Sequence, residues 1–213
     1  MPSIAAVETP VLELIKSLQS RTYLRDFYLV GGTALALHLR HRRSVDIDLF
    51  SNFSFDASAL LEQLQQDFTY TLFHTGSNTL KGSILKINVD ILAHRYRLID
   101  QPREIQGVTL LSERDIIAMK LNAIATSGQR SKDFIDIYFL LETFPLSNML
   151  ESYKAKYGRE NISHILKSLI YFDEVDLVDW PFLIREPTLK WDSVKKRIEK
   201  AVLDYIRGQN STL

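Results

Sequence analysis

The periodicity of the apolar residues changes once along the chain, near Gly107, and that change limits the fold more than any single motif. Before it, Val45–Phe50 alternates with strand period, Phe27–Val30 is a short apolar run stopped by Gly31-Gly32, and further strands fall near Tyr70–His74 and Ser83–Leu92. Helical spacing is confined there to Val11–Leu18, Thr33–Leu39 and Ser58–Gln66. After Gly107 the pattern is helical. Ser112–Ala125 opens with a Ser-x-x-Asp cap signature, and Lys132–Glu142, Ser147–Tyr157 and Ile162–Tyr171 follow. A stretch with two prolines, DWPFLIREPT, leads to a last amphipathic helix whose apolar stripe is Val194, Ile198, Val202 and Tyr205. Strands first and helices afterwards predict an α+β fold, with a sheet-bearing part over residues 1–108 and a helical part over residues 109–213.

Composition narrows the functional classes. The 213 residues are 46% hydrophobic and 24% charged, the balance of a chain that buries its own core. Formal net charge is zero, so a nucleic-acid contact has to come from a local basic patch. The absence of cysteine excludes thiol catalysis, disulfides and Cys-type zinc sites. The N-terminus has no secretory pattern, and no apolar stretch approaches the ~20 residues that span a bilayer. A cytoplasmic protein without membrane contact is expected.

The run GGTALALHLRHRRSVDIDLF, Gly31 to Phe50, concentrates chemistry-bearing residues. In a strand, Asp46 and Asp48 project to one face, their Cα atoms roughly 6.5 Å apart. Two carboxylates so placed can converge on one hard cation or bridge a pair of cations. They are equally the charges of a solvated edge strand. Upstream, Gly31-Gly32-Thr33 stands between a strand and a helix, where glycine permits close approach of a ligand and the first helical N–H groups favour a phosphate. Such pairs are often no more than turns. The order strand, Gly-Gly-Thr, helix, Asp-x-Asp strand places a phosphate grip beside a metal site.

A second strand, KINVDIL, puts Asp90 on the polar side of an alternation in which Ile87, Val89 and Ile91 are apolar. If the two strands are neighbours with aligned polar faces, Asp46, Asp48 and Asp90 form an acidic triad that needs a cation or a base to compensate it. The basic cluster Arg40, His41, Arg42 and Arg43 fits a triphosphate, an RNA backbone or a solvated loop balancing the acidic site.

In the helical half, Lys120 falls inside the apolar arc of Ile116, Ile117, Leu121, Ala123 and Ile124. Such a lysine snorkels, pairs with a carboxylate, or reaches an anion in a cleft. The next helix is apolar nearly all round except for a strip of Lys132, Asp133 and Asp136. Those charges have to be satisfied locally, in a structural network with Lys120 or Arg130 or in a site.

Together these segments resemble the AbiEii/AbiGii-type nucleotidyltransferase family, whose members include toxins of abortive-infection and toxin–antitoxin systems. The resemblance rests on GGTALALHLRHRRSVDIDLF, the Asp of NVDIL, the Lys of AMKLNAIA and RSKDFIDIYFLL, and covers about residues 25–145. It implies a polymerase-β-like nucleotidyltransferase core with a mixed sheet, packed against a helical C-terminal part that completes the active-site cleft. It further implies that Gly31, Gly32, Thr33 and Arg43 bind the triphosphate of an NTP and that Asp46, Asp48 and Asp90 bind Mg²⁺, or Mn²⁺ in its place. Asp90 assists deprotonation of the acceptor hydroxyl. Lys120 contacts the nucleotide, and Arg130, Lys132, Asp133 and Asp136 complete the last motifs. Thr33 stands where the wider superfamily usually has Gly-Ser.

The implied activity is Mg²⁺-dependent transfer of NMP to an acceptor hydroxyl, with RNA such as a tRNA 3′ end as acceptor and an antitoxin protein as partner. The competing class is a nucleotide- or protein-binding module that kept the fold and lost the chemistry. A sequence-reading nucleic-acid domain fits less well, because no helix-turn-helix or aromatic RNA-binding motif is present.

Overall fold

In the computed structural model of the protein, residues 5–210 are described. The chain divides into two compact units, Met1–Ser112 and Glu113–Leu213. Among the described residues the first unit carries a seven-stranded mixed sheet. Its strands are β1 (Tyr28–Leu29), β2 (Ile47–Ser51), β3 (Thr71–Gly76), β4 (Thr79–Ile84), β5 (Ile87–Ala93), β6 (Arg103–Ile105) and β7 (Val108–Leu110). The spatial order is β3-β4-β5-β2-β1-β7-β6. The β2–β5 and β1–β7 pairs are parallel and the others antiparallel.

Alternation explains the central strands. Ile47 and Leu49 of β2, Val89 and Ile91 of β5, and Val108 and Leu110 of β7 are fully buried, while the residues between them are half-buried or exposed. Helix α1 (Thr9–Gln19) starts with proline in its first turn and buries Val11, Leu14, Ile15 and Leu18. Helix α2 (Gly31–Leu39) is buried over Thr33–Leu37, which is why its sequence shows little amphipathic pattern. Helix α3 (Ala57–Asp67) is capped by Asp56, whose side chain accepts from the Ser58 and Ala59 N–H groups at 2.8 and 3.2 Å.

Two hairpins differ from the sequence expectation. The stretch Ser83–Leu92, expected as one strand, is broken by a turn at Leu85-Lys86, with φ of 51° and 66°. Two-residue hairpin turns of this handedness need positive φ at both central positions and normally use Asn or Gly there, so Leu-Lys gave no signal. The β6–β7 hairpin turns at Gln106-Gly107, with φ of 55° and 77°. Here the glycine was visible, but the flanking strands are three residues each, too short for their alternation to register. Consequently residues 108–110, expected at the join of the two parts, belong to the sheet.

Among the described residues the second unit is built of helices α4 (Glu113–Thr126), α5 (Ser131–Leu140), α6 (Leu146–Tyr157), α7 (Ser163–Leu169) and α8 (Trp191–Asn210). Ile116, Leu121, Phe134, Ile137, Leu150, Tyr153, Ile165, Val194, Ile198 and Val202 form its core. Tyr205, the last residue of the expected α8 stripe, is half-buried. Asp115 of α4 and Lys156 of α6 make a fully buried ion pair at 2.7 Å. No helix among the described residues is long and apolar enough to cross a membrane.

Candidate active site

The parallel pairing of β2 with β5 sets the geometry. Asp48 lies directly opposite Asp90, and Ile47 opposite Val89, so both carboxylates share the face that alternates with the buried core residues. Asp46 immediately precedes β2 and accepts a hydrogen bond from Asn88 Nδ2 at 3.1 Å, which puts it on the same side. All three aspartates are half-buried. On the other side of Asp90, β4 supplies its partner: Lys81 is the cross-strand neighbour, and its Nζ is 3.4 Å from Asp90 Oδ2. Below Asp90, Tyr70 donates to the Val89 carbonyl at 3.1 Å. Burial, and then the Asp90 charge, hold the Tyr70 phenol far above its ordinary pKa, so it stays protonated.

The start of α2 closes on this carboxylate face. The Val30 N–H donates to the Asp48 carbonyl at 2.9 Å, and Gly31 follows in the left-handed region with φ of 69°. A Cβ on Gly31 would land on the Asp48 carboxylate, whose Cγ lies 3.2 Å from that position. A Cβ on Gly32 would land on the Arg42 guanidinium, with Ser44 Oγ also within 3.3 Å. Gly31 is fixed by its left-handed backbone together with this close approach, whereas a side chain at Gly32 would displace the end of Arg42. The first turn of a helix has N–H groups without acceptors in the helix itself, and here that turn lies between a carboxylate and a guanidinium.

Thr33 is buried, and its hydroxyl donates to the Asp46 carbonyl while sharing a hydrogen bond with Ser44 Oγ at 2.9 Å. The side chain ties α2 to the segment entering β2, which leaves its backbone N–H as the group it can offer an anion. Arg43, which the sequence suggested for the cradle, is exposed and pairs with Glu8 at 3.3 Å. Its neighbour Arg42 is the buried one, donating to the Arg43 carbonyl at 3.1 Å while standing against Gly32. Nothing in a run of four basic residues distinguishes these two before the fold is known.

A second charged cluster lies within the helical unit. Lys120 of α4 is buried, with Nζ 2.6 Å from Asp133 Oδ1 and 2.7 Å from Asp136 Oδ2 of α5. Asp136 is fully buried and Asp133 nearly so. Arg130 reaches Asp133 at 3.9 Å from an exposed position, and Lys132 pairs with Asp179 at 2.5 Å. Of the sequence readings for Lys120, pairing with carboxylates is the arrangement found.

Comparison with known families places the chain. A family model described as nucleotidyl transferase AbiEii toxin, type IV TA system, matches residues 14–73 and 78–205. The chain belongs to the AbiEii family of nucleotidyltransferase toxins. It is also 30% identical over 202 residues to the uncharacterized protein aq_aa25 of Aquifex aeolicus (strain VF5), covering 92% of this chain and 96% of that one. Among solved structures it resembles MenT4, a nucleotidyltransferase toxin of Mycobacterium tuberculosis H37Rv, with TM-score 0.58 and 14% identity over 90% of this chain and 81% of the other. It likewise resembles an H. pylori protein described as a nucleotidyltransferase, with TM-score 0.56 and 13% identity over 96% and 95% of the two chains. At those identities the structural likeness establishes the nucleotidyltransferase fold, and family membership makes the chain an AbiEii-type enzyme of nucleotidyl transfer.

Such enzymes usually use a divalent metal, and the donor chemistry can be tested against one. Asp46, Asp48 and Asp90 offer only hard carboxylate oxygens, the donors Mg²⁺ prefers. They are not yet gathered as ligands: among the described residues no three His, Cys, Asp or Glu side chains are grouped to hold a metal ion. Asp46 is engaged by Asn88 and Asp90 by Lys81. The set fits a divalent cation in the kind of its donors and in the face they share.

Proposed function

We propose that the chain transfers NMP from an NTP to an acceptor hydroxyl, using Asp46, Asp48 and Asp90 with Mg²⁺, or Mn²⁺ in its place. The observation that carries this reading is the register of Asp48 against Asp90 with the Gly31 turn closed upon Asp48. The first turn of α2 and the Arg42 guanidinium bind the triphosphate, with the backbone of Gly31, Gly32 and Thr33 approaching closely because no Cβ intervenes at the glycines. Asp46 and Asp48, anionic like the phosphate, would act by holding the divalent cation. Asp90 accepts the proton of the acceptor hydroxyl as its oxygen bonds to the α-phosphorus. The bond from that phosphorus to the β-phosphate oxygen breaks, and pyrophosphate leaves. A bound divalent cation neutralises charge on the transferring phosphate and lowers the pKa of the attacking hydroxyl.

Within this reading Lys120, Asp133 and Asp136 are the motif residues of the helical unit, held to one another by buried ion pairs, with Arg130 and Lys132 beside them. The acceptor is RNA, a tRNA 3′ end being the leading candidate, and the enzyme acts in the cytoplasm as a toxin restrained by an antitoxin protein. The test is incubation with each labelled NTP, Mg²⁺ and total RNA. Label recovered in RNA, dependent on the metal, is expected. Label that stays in NTP under all conditions, with candidate protein acceptors and partners included, refutes the reading.

A further inference from the structure

Beyond Asp48 and Asp90 the same sheet face changes from acidic to aromatic. Phe50 lies two residues after Asp48 on β2, opposite Leu92, which lies two after Asp90 on β5. Strand geometry therefore sets Phe50 roughly 7 Å along from the carboxylates on their own face. The strand pairing continues one step further, the His94 N–H donating to the Ser51 carbonyl at 2.7 Å. His94 then lies against Phe50, ring centroids 5.9 Å apart, and Tyr96 against His94 at 4.8 Å. Around them is an open depression of about 510 Å³ lined by Ala93, His94, Arg95 and Tyr96. Tyr96 is 42% exposed, and Arg95 and Arg97 on either side of it are exposed too. Arg95 is steadied by Ser54 Oγ at 3.4 Å.

Three rings in a row, ending in an exposed tyrosine between two arginines, match one ligand chemistry well. An unpaired nucleobase stacks on aromatic faces whatever its identity, and guanidinium groups meet the phosphates on either side of it. The segment His94–Arg97 contains no acidic residue, so its charge complements a polyanion. Position selects which polyanion. The glycine turn, Ser44 and Arg42 approach Asp46 and Asp48 from the start of β2, whereas the rings extend from its end. A strand stacked on the rings would present its terminal hydroxyl toward Asp90.

We infer that Phe50, His94, Tyr96, Arg95 and Arg97 form a stacking platform for the unpaired end of a single-stranded RNA acceptor. The inference rests on the proposed transfer reaction for its meaning, but its binding test does not. Affinity for a fluorescein-labelled, ten-nucleotide single-stranded RNA of mixed sequence is measured by polarisation, beside a blunt duplex of the same sequence. Tyr96→Ala should weaken single-strand binding about tenfold and Tyr96→Phe should leave it near wild type, because the ring and not the hydroxyl stacks. The duplex should bind more weakly and be insensitive to both substitutions. In the transfer assay Tyr96→Ala should raise the acceptor KM and leave the NTP KM alone.

Equal single-strand affinity in wild type and Tyr96→Ala overturns the platform, as does an equal loss on the duplex. A rise in the NTP KM with the acceptor KM unchanged also overturns it, by giving the rings to the nucleotide base. The two proposals fail separately. Tyr96-dependent RNA binding by a protein that transfers no label sustains the platform and removes the reaction, and transfer with Tyr96-independent binding does the reverse.

Discussion

The sheet unit and the helical unit each carry an aspartate cluster, and they resolve the same electrostatic problem in opposite ways. In the sheet unit Asp46, Asp48 and Asp90 are half-buried on one face, with Lys81 beside Asp90 at 3.4 Å. In the helical unit Asp133 and Asp136 are sealed from water with the buried ammonium of Lys120 between them at 2.6 and 2.7 Å. Solvent can reach the first cluster. The second is compensated internally and closed. A ligand cation can approach the first from water, whereas the second is closed by burial. Carboxylate spacing does not separate the two clusters. Burial does.

That contrast predicts two substitutions of opposite character. Asp48→Ala should lower transfer on the order of a thousandfold, the scale of losing an electrostatic group at the reacting phosphate. Its unfolding free energy in urea should fall by no more than about 1 kcal/mol, since the side chain is only half-buried. Undiminished turnover would remove Asp48 from the chemistry. Lys120→Met should instead cost about 3–5 kcal/mol of stability, because two buried carboxylates lose their cation. Stability is measured first for this variant, and transfer is then expressed per folded molecule. A loss below ~1 kcal/mol would show that water reaches the pair, and the contrast between the clusters would collapse.

Strand alternation made much of the sheet cluster readable in advance. It assigned Asp46, Asp48 and Asp90 to polar faces, and glycine placement identified the turn before α2. What alternation cannot report is which strands pair. The β2–β5 neighbourhood joins residues about forty apart in sequence, and it alone sets Asp48 opposite Asp90. The same limit hid Lys81, whose relation to Asp90 exists only across the β4–β5 ladder, and Asn88, whose partner Asp46 lies outside its own strand. Arg42 and Arg43 are adjacent and chemically alike, and only the path of the chain into β2 buries one and exposes the other. In the helical unit the wheel placed Lys120 on the apolar arc, but the identity of its partners required the packing of α4 against α5.

Lys81 offers a finer test of the sheet cluster. Its ammonium occupies Asp90 from a half-exposed position, so it competes with any cation that Asp90 helps to bind. An exposed pair of this kind is weak, and its removal should tighten Mn²⁺ binding about threefold in Lys81→Met, measured by calorimetric titration. Weaker Mn²⁺ binding in that variant would mean that Lys81 supports the ligand geometry instead of opposing it. The corresponding experiment in the helical unit, Mn²⁺ binding by Lys120→Met, should show no gain beyond what loss of the folded state explains.

The smallest expected effect concerns the turn that holds Lys81 and Asp90 in register. Leu85 and Lys86 both adopt left-handed backbone angles without the glycine or asparagine that makes them inexpensive, and Leu85 is exposed. Leu85→Asn/Lys86→Gly should stabilise the sheet unit by about 1 kcal/mol and raise Tm by roughly 3 °C. Neither side chain contributes to the carboxylate face, so transfer and Mn²⁺ affinity should match wild type. Raised Tm with altered Mn²⁺ affinity would carry a different lesson. The cross-strand pairing of Lys81 with Asp90 would then depend on give in the turn, and the openness of the sheet cluster would come in part from a strained hairpin.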